Sequence, residues 1–542
     1  MSDTREQKLK ESEAPPPKRP SALDYRHEWE EPLARLAERK AAGAAQGTPD
    51  RIERHQARGK FTARERIALL CDQDTFVEYG VLASGALTTP GRGTETVPAD
   101  GVITGYGLIN GRRVYVVADD ATVAGGSARG AAAYLKVSQI KRRAGEEGCP
   151  VVSLLEASAG RVQDLLGSQF AMSRGDFIEE VRASGLIPRV VALMGGGFGQ
   201  PSFLAMLSDF RPIVKGTGFM GMSGPPVVEA AIGEQISQEE LGGSHLQTVV
   251  TGQADYEAQD EHDCLRVIKE FLSYFPSSCY AAPPIVPATD PSDRQCDELF
   301  SLVPVNLRRG YDMRRVIAVI VDDGRSLEIK PTYAPNIITA LARLGGMPVG
   351  IIANQPLYLA GTIDRPAAQK AARFIDLCDA FHLPLVFLQD VPGFLVGRQV
   401  EEDQLLTEAI RWMQVLCEAT VPKITVVVRK GYGLAYFAMG GRGIEPDVIV
   451  AWPSASIAMM GPEAGVNVVY ARELAQAADR QALQQKLTAG YLDAAAPYRA
   501  AELYAIDDII DPRQTRQFLI SALQGAQRKI QRQLHRKHSI GP

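Results

Sequence analysis

The feature that most constrains the fold is an internal repeat, in which similar segments recur 234 positions apart. The stretch "IPRVVALMGGGFGQPSFLAM" (187–206) has a counterpart in "VPKITVVVRKGYGLAYFAM" (421–439). Upstream, "CPVVSLLEASAG" (149–160) matches "LPLVFLQDVPG" (383–393), and the matching prolines and glycines keep the same separation. Because chance does not maintain one offset across several segments, we predict two copies of one domain.

Within each copy, short β-branched runs alternate with amphipathic or alanine-rich segments, a pattern that predicts an α/β fold. A proline- and serine-rich section without periodicity lies near residues 278–300 and indicates a linker. We therefore place an N-terminal domain at 23–285 and a C-terminal domain at 296–542. The charged, proline-rich tail at 1–22 is predicted to be disordered. The basic stretch at 527–538 is interpreted as an exposed helix end.

The glycine-rich stretch "MGGGFGQPSFLAM" (194–206) follows an apolar run typical of a buried strand and precedes a helix-like segment. Glycine adopts positive φ and lets other atoms approach the backbone, so such a turn can direct free N–H groups at an anion. On one copy alone, a tight packing turn is the simpler interpretation. The repeat of the turn favours function, because two oxyanion holes suit a reaction with a developing oxyanion on each of two substrates.

Composition excludes several classes of protein. The chain of 542 residues has a net charge of −5, which gives no sign of a nucleic-acid partner. No apolar run approaches the length of a membrane span, and the charged N-terminus does not resemble a signal peptide. The cysteines are odd in number and form no CxxC pair, which favours a reducing, cytoplasmic location; they are Cys71, Cys149, Cys264, Cys279, Cys296, Cys378 and Cys417.

The sequence lacks the motifs of several other catalytic mechanisms. There is no P-loop, no GxSxG nucleophile elbow and no HExxH pair, and Gln200 occupies the last glycine position of a would-be GxGxxG. The scattered histidines lack metal-ligand spacing, so we expect no metal site. Catalysis would then depend on backbone dipoles and on groups that the substrates supply.

Long motifs in the chain resemble the carboxyltransferase β subunits of biotin-dependent acyl-CoA carboxylases, such as the propionyl-CoA and methylcrotonyl-CoA enzymes. The resemblance extends over nearly the whole chain after the first fifty residues. It is carried by "RGKFTARERIALL" (58–70), "ASAGRVQD" (157–164), "GPPVVEAAIGEQISQEELGG" (224–243), "VDDGRSLEIKPTYAPNIITALARLGGMPVGIIANQP" (321–356) and "AWPSASIAMMGPE" (451–463).

The resemblance implies two crotonase-like domains of the ClpP/crotonase superfamily, assembled as a homo-oligomer, namely a hexamer. Acyl-CoA would bind the N-terminal domain, and carboxybiotin the C-terminal domain of a neighbouring subunit. The chain lacks the AMKM biotin-attachment sequence, so a separate biotin carboxylase or biotin carrier subunit would supply the cofactor. Carboxybiotin would lose CO2, the biotin enolate would take the α-proton of the thioester, and the thioester enolate would then attack CO2.

The resemblance also assigns site residues. It implies oxyanion-hole amides at Gly199 and Gln200 for the thioester, and at Leu434 and Ala435 for biotin. It implies an acyl-CoA surface made of Gly125, Gly126, Ser127, Ser158, Ala159, Gly160, Arg161 and Phe437. It implies a biotin surface made of Pro392, Gly393, Phe394 and Gly433.

The chain departs from the family pattern at the turns. Gln200 and Pro201 stand where relatives have glycine and alanine, and proline has no N–H to donate. Leu434 replaces a common glycine, and Phe437 replaces the residue that shapes acyl selectivity. Because backbone donors would act, we expect loss of the Gln200 side chain to be mild. Two alternatives stay open: a biotin-independent decarboxylase or transcarboxylase acting on a malonyl-type thioester, and a non-catalytic scaffold subunit.

Overall fold

The computed structural model of the chain describes residues 24–89, 93–124, 129–156, 161, 167–172 and 176–542. The predicted disordered tail at 1–22 lies outside this set. So do six predicted acyl-CoA contacts, namely Gly125, Gly126, Ser127, Ser158, Ala159 and Gly160.

Two large mixed sheets organise the described residues. The first has the order β1-β4-β5-β6-β7-β8-β9, and the second has the order β10-β11-β12-β13-β14-β15-β17, with β16 paired to β14. The hairpin β2-β3 stands apart. The strands are β1 (Val77–Tyr79), β2 (Ser84–Thr89), β3 (Gly93–Pro98), β4 (Val102–Ile109), β5 (Arg112–Asp119), β6 (Val151–Leu155), β7 (Arg189–Leu193), β8 (Pro212–Val214), β9 (Tyr256–Ala258), β10 (Ser326–Glu328), β11 (Ile337–Leu344), β12 (Met347–Asn354), β13 (Leu385–Val391), β14 (Lys423–Tyr432), β15 (Val448–Ala451), β16 (Ser456–Ala458) and β17 (Asp508–Ile509).

Helices connect the strands and cover the sheets. They are α1 (Glu30–Ala44), α2 (Pro49–Gln56), α3 (Ala63–Leu70), α4 (Ala131–Glu147), α5 (Phe177–Ala183), α6 (Gln200–Met206), α7 (Pro225–Ile232), α8 (Gln238–Gly242), α9 (Glu261–Tyr274), α10 (Leu299–Leu302), α11 (Met313–Ile320), α12 (Arg365–Ala380), α13 (Arg398–Glu402), α14 (Leu405–Glu418), α15 (Gly433–Ala438), α16 (Pro462–Val469), α17 (Ala471–Gln476), α18 (Arg480–Ala494), α19 (Pro497–Glu502) and α20 (Thr515–Gln531). No helix in the described ranges is both long enough and apolar enough to cross a membrane.

The strand register confirms the internal repeat. In the first sheet Val151 of β6 pairs in parallel with Arg189 of β7, and in the second Leu385 of β13 pairs with Lys423 of β14. Each partner is shifted by 234 positions from its counterpart. These central strands are buried along their whole length, as expected for parallel strands covered on both faces.

A smaller shared detail marks the start of each copy. The Asp72 carboxylate, just after α3, accepts hydrogen bonds from the Asn110 and Gly111 amides in the β4-β5 turn. After α11, the Asp322 carboxylate accepts from the Gly345 and Gly346 amides in the β11-β12 turn, at 2.9 and 2.7 Å. In each copy, an aspartate that follows a helix therefore accepts hydrogen bonds from the two amides of the corresponding hairpin turn.

One large hydrophobic cluster extends across both copies. The Phe271 ring on α9 stacks on Phe210 at 4.5 Å and contacts Phe275 at 4.6 Å. Phe275 in turn meets Phe381, which follows α12 of the second copy, at 5.6 Å. All four rings are fully buried, so they lock the two halves of the chain together by removing apolar surface from water.

A buried ion cluster crosses the same boundary. The Asp255 carboxylate accepts a hydrogen bond from Arg211 Nε at 3.0 Å, and it lies 3.6 Å from Lys330 Nζ and 3.8 Å from Arg373 Nη1. Burial alone would raise the pKa of Asp255, but the three cations lower it to about 2. Since Lys330 and Arg373 belong to the second copy, the cluster joins the halves electrostatically.

The C-terminal segment after α20 also bridges the halves. Lys537 Nζ and His538 Nε2 contact the Asp379 carboxylate on α12 at 2.9 and 3.1 Å. On the other side, the Ile540 amide donates to Ser184 Oγ at 2.8 Å, and Arg536 donates to the Ser184 carbonyl. The interpretation of 527–538 as an exposed helix end therefore holds only as far as residue 531, where the helix stops. Beyond it, Arg536, Lys537 and His538 are docked on the two halves of the chain.

Candidate active site

The first glycine turn connects β7 to α6, at the carboxyl edge of the first sheet. Gly199 precedes the helix with φ 79° and ψ −133°, a conformation that glycine adopts far more readily than other residues. A Cβ built on Gly199 would meet only the Met222 carbonyl oxygen, at 3.9 Å. The backbone conformation, rather than crowding, therefore explains the glycine.

A neighbouring loop braces this turn from one side. The Gly199 N–H donates to the Gly221 carbonyl at 3.0 Å, and the Gly197 N–H donates to the Phe219 carbonyl at 2.8 Å. The expectation that the Gly199 amide faces a ligand is therefore wrong for this structure, because the turn directs that N–H toward the loop. Gln200 is the first residue of α6, where a helix leaves its amide without an intrahelical acceptor.

The second glycine turn connects β14 to α15 in the equivalent place. Gly433 opens the helix with φ 62°, and its Cβ would lie 3.3 Å from the Met459 carbonyl oxygen. Leu434 and Ala435 follow in the first turn of α15, so their amides belong to the group that lacks intrahelical acceptors. The Leu434 side chain is 68% exposed, whereas Ala435 is buried. The predicted biotin-side amides thus lie at the start of a helix.

A buried carboxylate borders the first turn. Glu156, at the end of β6, forms an ion pair with Lys60 at 2.6 Å and another with Arg66. Burial alone would raise the pKa of Glu156, but these cations hold it below its usual range. Gly195 permits the close approach, since a Cβ there would lie 2.5 Å from Glu156 Cγ. The carboxylate is neutralised by the segment that contains α3.

The second copy keeps the carboxylate but changes its partner. Asp390 stands 234 positions after Glu156, and Arg429 stands at the position of Gly195. The Arg429 guanidinium lies 2.9 Å from the Asp390 carboxylate, and both side chains are fully buried. Arg429 Nη1 also donates to three carbonyls, those of Pro304, Asn306 and Arg309. The strand itself therefore supplies the cation in the second copy.

Arg161 is the one predicted acyl-CoA contact in the 157–161 stretch that the structure describes. Its guanidinium is fully buried and lies 2.5 Å from the Asp100 carboxylate. Its main-chain N–H donates to the Arg129 carbonyl at 3.0 Å. This burial favours a structural anchor over direct contact with a ligand.

The predicted biotin surface follows β13. Pro392, Gly393 and Phe394 are half-buried, and Gly393 has φ 147° with open space around a Cβ position. The Gly393 carbonyl accepts a hydrogen bond from the Ile363 amide at 3.1 Å. These residues and the Gly433 turn follow neighbouring parallel strands, whose carboxyl ends share one edge of the sheet.

Phe437 lies on α15, four residues after the turn. Its ring is partly buried and meets the Tyr436 ring edge-to-face at 5.3 Å. A Cβ on Gly443 would come within 2.9 Å of the ring. Phe437 thus packs against its own domain, which gives it a structural contact that the sequence did not indicate.

The polar groups near the second turn fit a ureido group, the recognition element of biotin. Gln389 Nε2 donates to the Tyr436 carbonyl at 3.1 Å, while its Oε1 is buried without a partner. The helix-start amides of Leu434 and Ala435 are donors. Donors and an acceptor on adjoining elements match the carbonyl and N–H groups of a ureido ring. Among the described residues, no group of His, Cys, Asp or Glu is suited to a metal ion.

Sequence reasoning missed Tyr134. This residue of α4 is 5% exposed, and its hydroxyl donates to Gln200 Oε1 at 3.2 Å. Tyr134 belongs to no recognised motif, and the sequence pattern indicates only that it lies on the buried face of a helix.

Comparison with known proteins agrees with this architecture. Residues 54–540 match the carboxyl transferase domain family. The methylmalonyl-CoA decarboxylase subunit alpha of Veillonella parvula is 38% identical over 513 residues, covering 95% of this chain and 99% of that protein. The biotin-dependent acetyl-/propionyl-coenzyme A carboxylase beta5 subunit of Mycobacterium tuberculosis (strain CDC 1551 / Oshkosh) is 39% identical over 522 residues, covering 94% and 95%.

Among solved structures, transcarboxylase 12S with methylmalonyl-coenzyme A and methylmalonic acid bound is 38% identical, with a TM-score of 0.86 over 91% of this chain and 94% of that chain. That protein is described as a hexamer assembly. The chain belongs to the carboxyl transferase family. It is a carboxyltransferase enzyme built from two crotonase-like α/β domains, and the predicted family and fold class are confirmed.

Proposed function

We propose that this chain is the carboxyltransferase subunit of an acyl-CoA carboxylase, and that it moves a carboxyl group from carboxybiotin on a partner subunit to the α-carbon of an acyl-CoA. The observation that carries the proposal is the pair of glycine turns at Gly199 and Gly433. Each follows a buried parallel strand and opens a short helix with positive φ. Because the chain belongs to the carboxyl transferase family, we assign both turns to carboxyl transfer.

On the acyl side, the Gln200 N–H is the main-chain donor for the thioester oxygen. The Gly199 N–H already donates to the Gly221 carbonyl, and Pro201 has no N–H. On the biotin side, Leu434 and Ala435 donate, and Gln389 Oε1 accepts. Preorganised donors of this kind stabilise negative charge as it develops, and each contributes about 3 kcal/mol to lowering the barrier.

The carboxylates beside the turns are poor candidates for a general base. Glu156 is held by Lys60 and Arg66, and Asp390 by Arg429, so both are committed to buried ion pairs. When bound, carboxybiotin would supply the carboxyl group and a basic site for the α-proton, so the chain's own side chains need not act as the base. The protein's part is to orient the two substrates and to stabilise their oxyanions.

Assembly completes the proposed site. Met222, whose carbonyl adjoins the first turn, is 75% exposed; at the second turn Met459 is 77% exposed and Leu434 is 68% exposed. Each turn therefore has exposed apolar side chains available for contact with a neighbouring subunit. We propose a hexamer in which the acyl-CoA domain at 23–285 meets the biotin domain at 296–542 of a neighbouring subunit, in the cytoplasm, with a separate biotin-carrying partner.

Co-purification tests this proposal. The tagged chain is isolated from its native cell extract, and the bound proteins are probed with labelled streptavidin. A biotinylated protein recovered in stoichiometric amount is the expected result. Repeated recovery of an active assembly with no biotinylated protein would contradict the proposal and favour the biotin-independent decarboxylase.

A further inference from the structure

The side chain of Gln200 makes one hydrogen bond within the described part of the chain, and Tyr134 supplies it. The Tyr134 hydroxyl donates to Gln200 Oε1 at 3.2 Å, while Gln200 Nε2 is buried without a partner. A carboxamide has two hydrogen-bonding ends, and in the described part of the chain the bond from Tyr134 is the hydrogen bond that orients this side chain.

Residue 200 matters because the turn is short of donors. The Gly199 N–H is bound by the Gly221 carbonyl, and Pro201 has none. Of these three residues, only Gln200 has a main-chain N–H free of those constraints. Any rotation of the backbone at residue 200 would therefore misdirect the donor on the acyl side.

Tyr134 is itself held rigidly. Its main-chain N–H donates to the Gly130 carbonyl at the start of α4, and its ring is buried. Nearby, Arg129 Nε donates to the Asp119 carboxylate at 3.2 Å, and Arg129 Nη1 lies 3.7 Å from Asp176. Burial raises the pKa of the Tyr134 hydroxyl, although Arg129 opposes this, so the hydroxyl stays protonated and able to donate.

We propose that Tyr134 is a positioning residue, which holds the Gln200 side chain and thereby directs the Gln200 main-chain N–H at the thioester oxygen. This inference rests on the proposed function. It also reverses the expectation that loss of the Gln200 side chain is mild, because that side chain is the link between the turn and a rigid helix.

The test compares Tyr134→Phe, Gln200→Met and the double variant in a carboxyl-transfer assay. Gln200→Met keeps the volume of the side chain but removes its hydrogen bond. We expect kcat to fall about 10-fold in each single variant, at the upper end of what one neutral hydrogen bond contributes and less than a 1 Å misplacement costs, with KM within about twofold of wild type. Because the two residues share one bond, the double variant should be no worse than the poorer single variant.

Tyr274→Phe is the matched control, since it removes a hydroxyl from a buried tyrosine on α9, away from the turn. Backbone hydrogen exchange of the peptide 194–206 gives a readout independent of activity. Faster exchange is expected in Tyr134→Phe and Gln200→Met but not in Tyr274→Phe. If wild-type protein transferred no carboxyl group, the proposed function would fail, and the exchange comparison would still decide the positioning role.

Two results would overturn the inference. One is wild-type kcat and unchanged exchange in folded Tyr134→Phe and Gln200→Met proteins. The other is a fall in kcat that simply follows a lowered melting temperature and appears equally in Tyr274→Phe, because that pattern reflects lost stability rather than lost position.

Discussion

Gly199 and Gly433 stand 234 positions apart, and both have a positive φ, of 79° and 62°, at the start of α6 and α15. A Cβ on Gly199 would meet only the Met222 carbonyl oxygen, at 3.9 Å, and a Cβ on Gly433 only the Met459 carbonyl oxygen, at 3.3 Å. Positive φ therefore explains both glycines better than packing does. Residues with a Cβ pay about 1–3 kcal/mol in such regions, so substitution should deform the turn.

The first prediction concerns these two positions. Gly199→Val and Gly433→Val should each lower kcat by about 100-fold or more, the cost of one misdirected oxyanion donor. Steady-state kinetics on protein of verified melting temperature measures the effect. Gly490→Ala is the control, because this glycine of α18 has open space and an ordinary φ, and its variant should turn over normally. A folded Gly199→Val enzyme with normal kcat would show the first turn to be structural only.

The second prediction concerns the ion cluster between the domains. Asp255→Asn removes the charge that Arg211, Lys330 and Arg373 share, and leaving buried cations unpaired costs about 3–5 kcal/mol. Urea denaturation measures the free energy of unfolding. Glu146→Gln breaks an exposed pair with Arg142 and should cost less than about 0.5 kcal/mol. A loss below about 1 kcal/mol in Asp255→Asn would contradict the account.

The low pKa of Asp255 also predicts how the stability of the protein changes at acid pH. The folded-state pKa of Asp255, about 2, lies below the ordinary aspartate value, so its contribution is full above that ordinary value and is lost as pH falls toward 2. Melting temperatures measured from pH 5 down to pH 2 should therefore fall more steeply for wild type than for Asp255→Asn. Parallel curves for the two proteins would argue against a charged Asp255.

The third prediction concerns the docked C-terminal segment. The hydrogen bond to Asp379 raises the pKa of His538, so its stabilising contribution is full below the ordinary histidine pKa and is lost as pH rises through the folded value. Asp376 and Lys537 also face this site. Between pH 6 and pH 9, wild type should lose melting temperature relative to His538→Gln. The control His535→Gln should retain the wild-type slope, and a His538→Gln slope equal to wild type would contradict the prediction.

The fourth prediction concerns acyl selectivity. Phe437→Ala should widen the range of acyl-CoA esters accepted, since cutting back the ring leaves an apolar cavity beside α15. Because the ring also packs on Tyr436 and is only partly buried, the variant should lose about 2 kcal/mol of stability. A panel of acyl-CoA esters of increasing length measures the profile. A folded variant with an unchanged profile would leave Phe437 a packing residue.

Much of the fold was predictable because a repeat is visible without any structure. The offset between 149–160 and 383–393 already indicated two copies, and the strand register keeps the same 234 positions. The locations of both turns followed from glycine after apolar runs. Both features consist of the order of residues along the chain, so they can be recognised in the sequence without knowing which segments touch.

Contacts between distant segments were not predictable in the same way. The bond from the Gly199 N–H to Gly221 depends on how the loop after β8 folds back, and the bond from Tyr134 to Gln200 depends on where α4 lies. The docking of His538 on Asp379 joins residues that lie 159 positions apart in the sequence. No local pattern marks such partners, and an alternation of buried residues is compatible with many of them.

The central claim is that carboxyl transfer requires biotin and both turns. The most direct measurement follows loss of labelled carboxyl from malonyl-CoA and methylmalonyl-CoA, with and without free biotin as the acceptor, in wild type, Gly199→Val and Gly433→Val. The account predicts a loss that rises with biotin concentration and falls about 100-fold in each variant. Equal loss without biotin, or no loss from either ester at high biotin concentration, would contradict it.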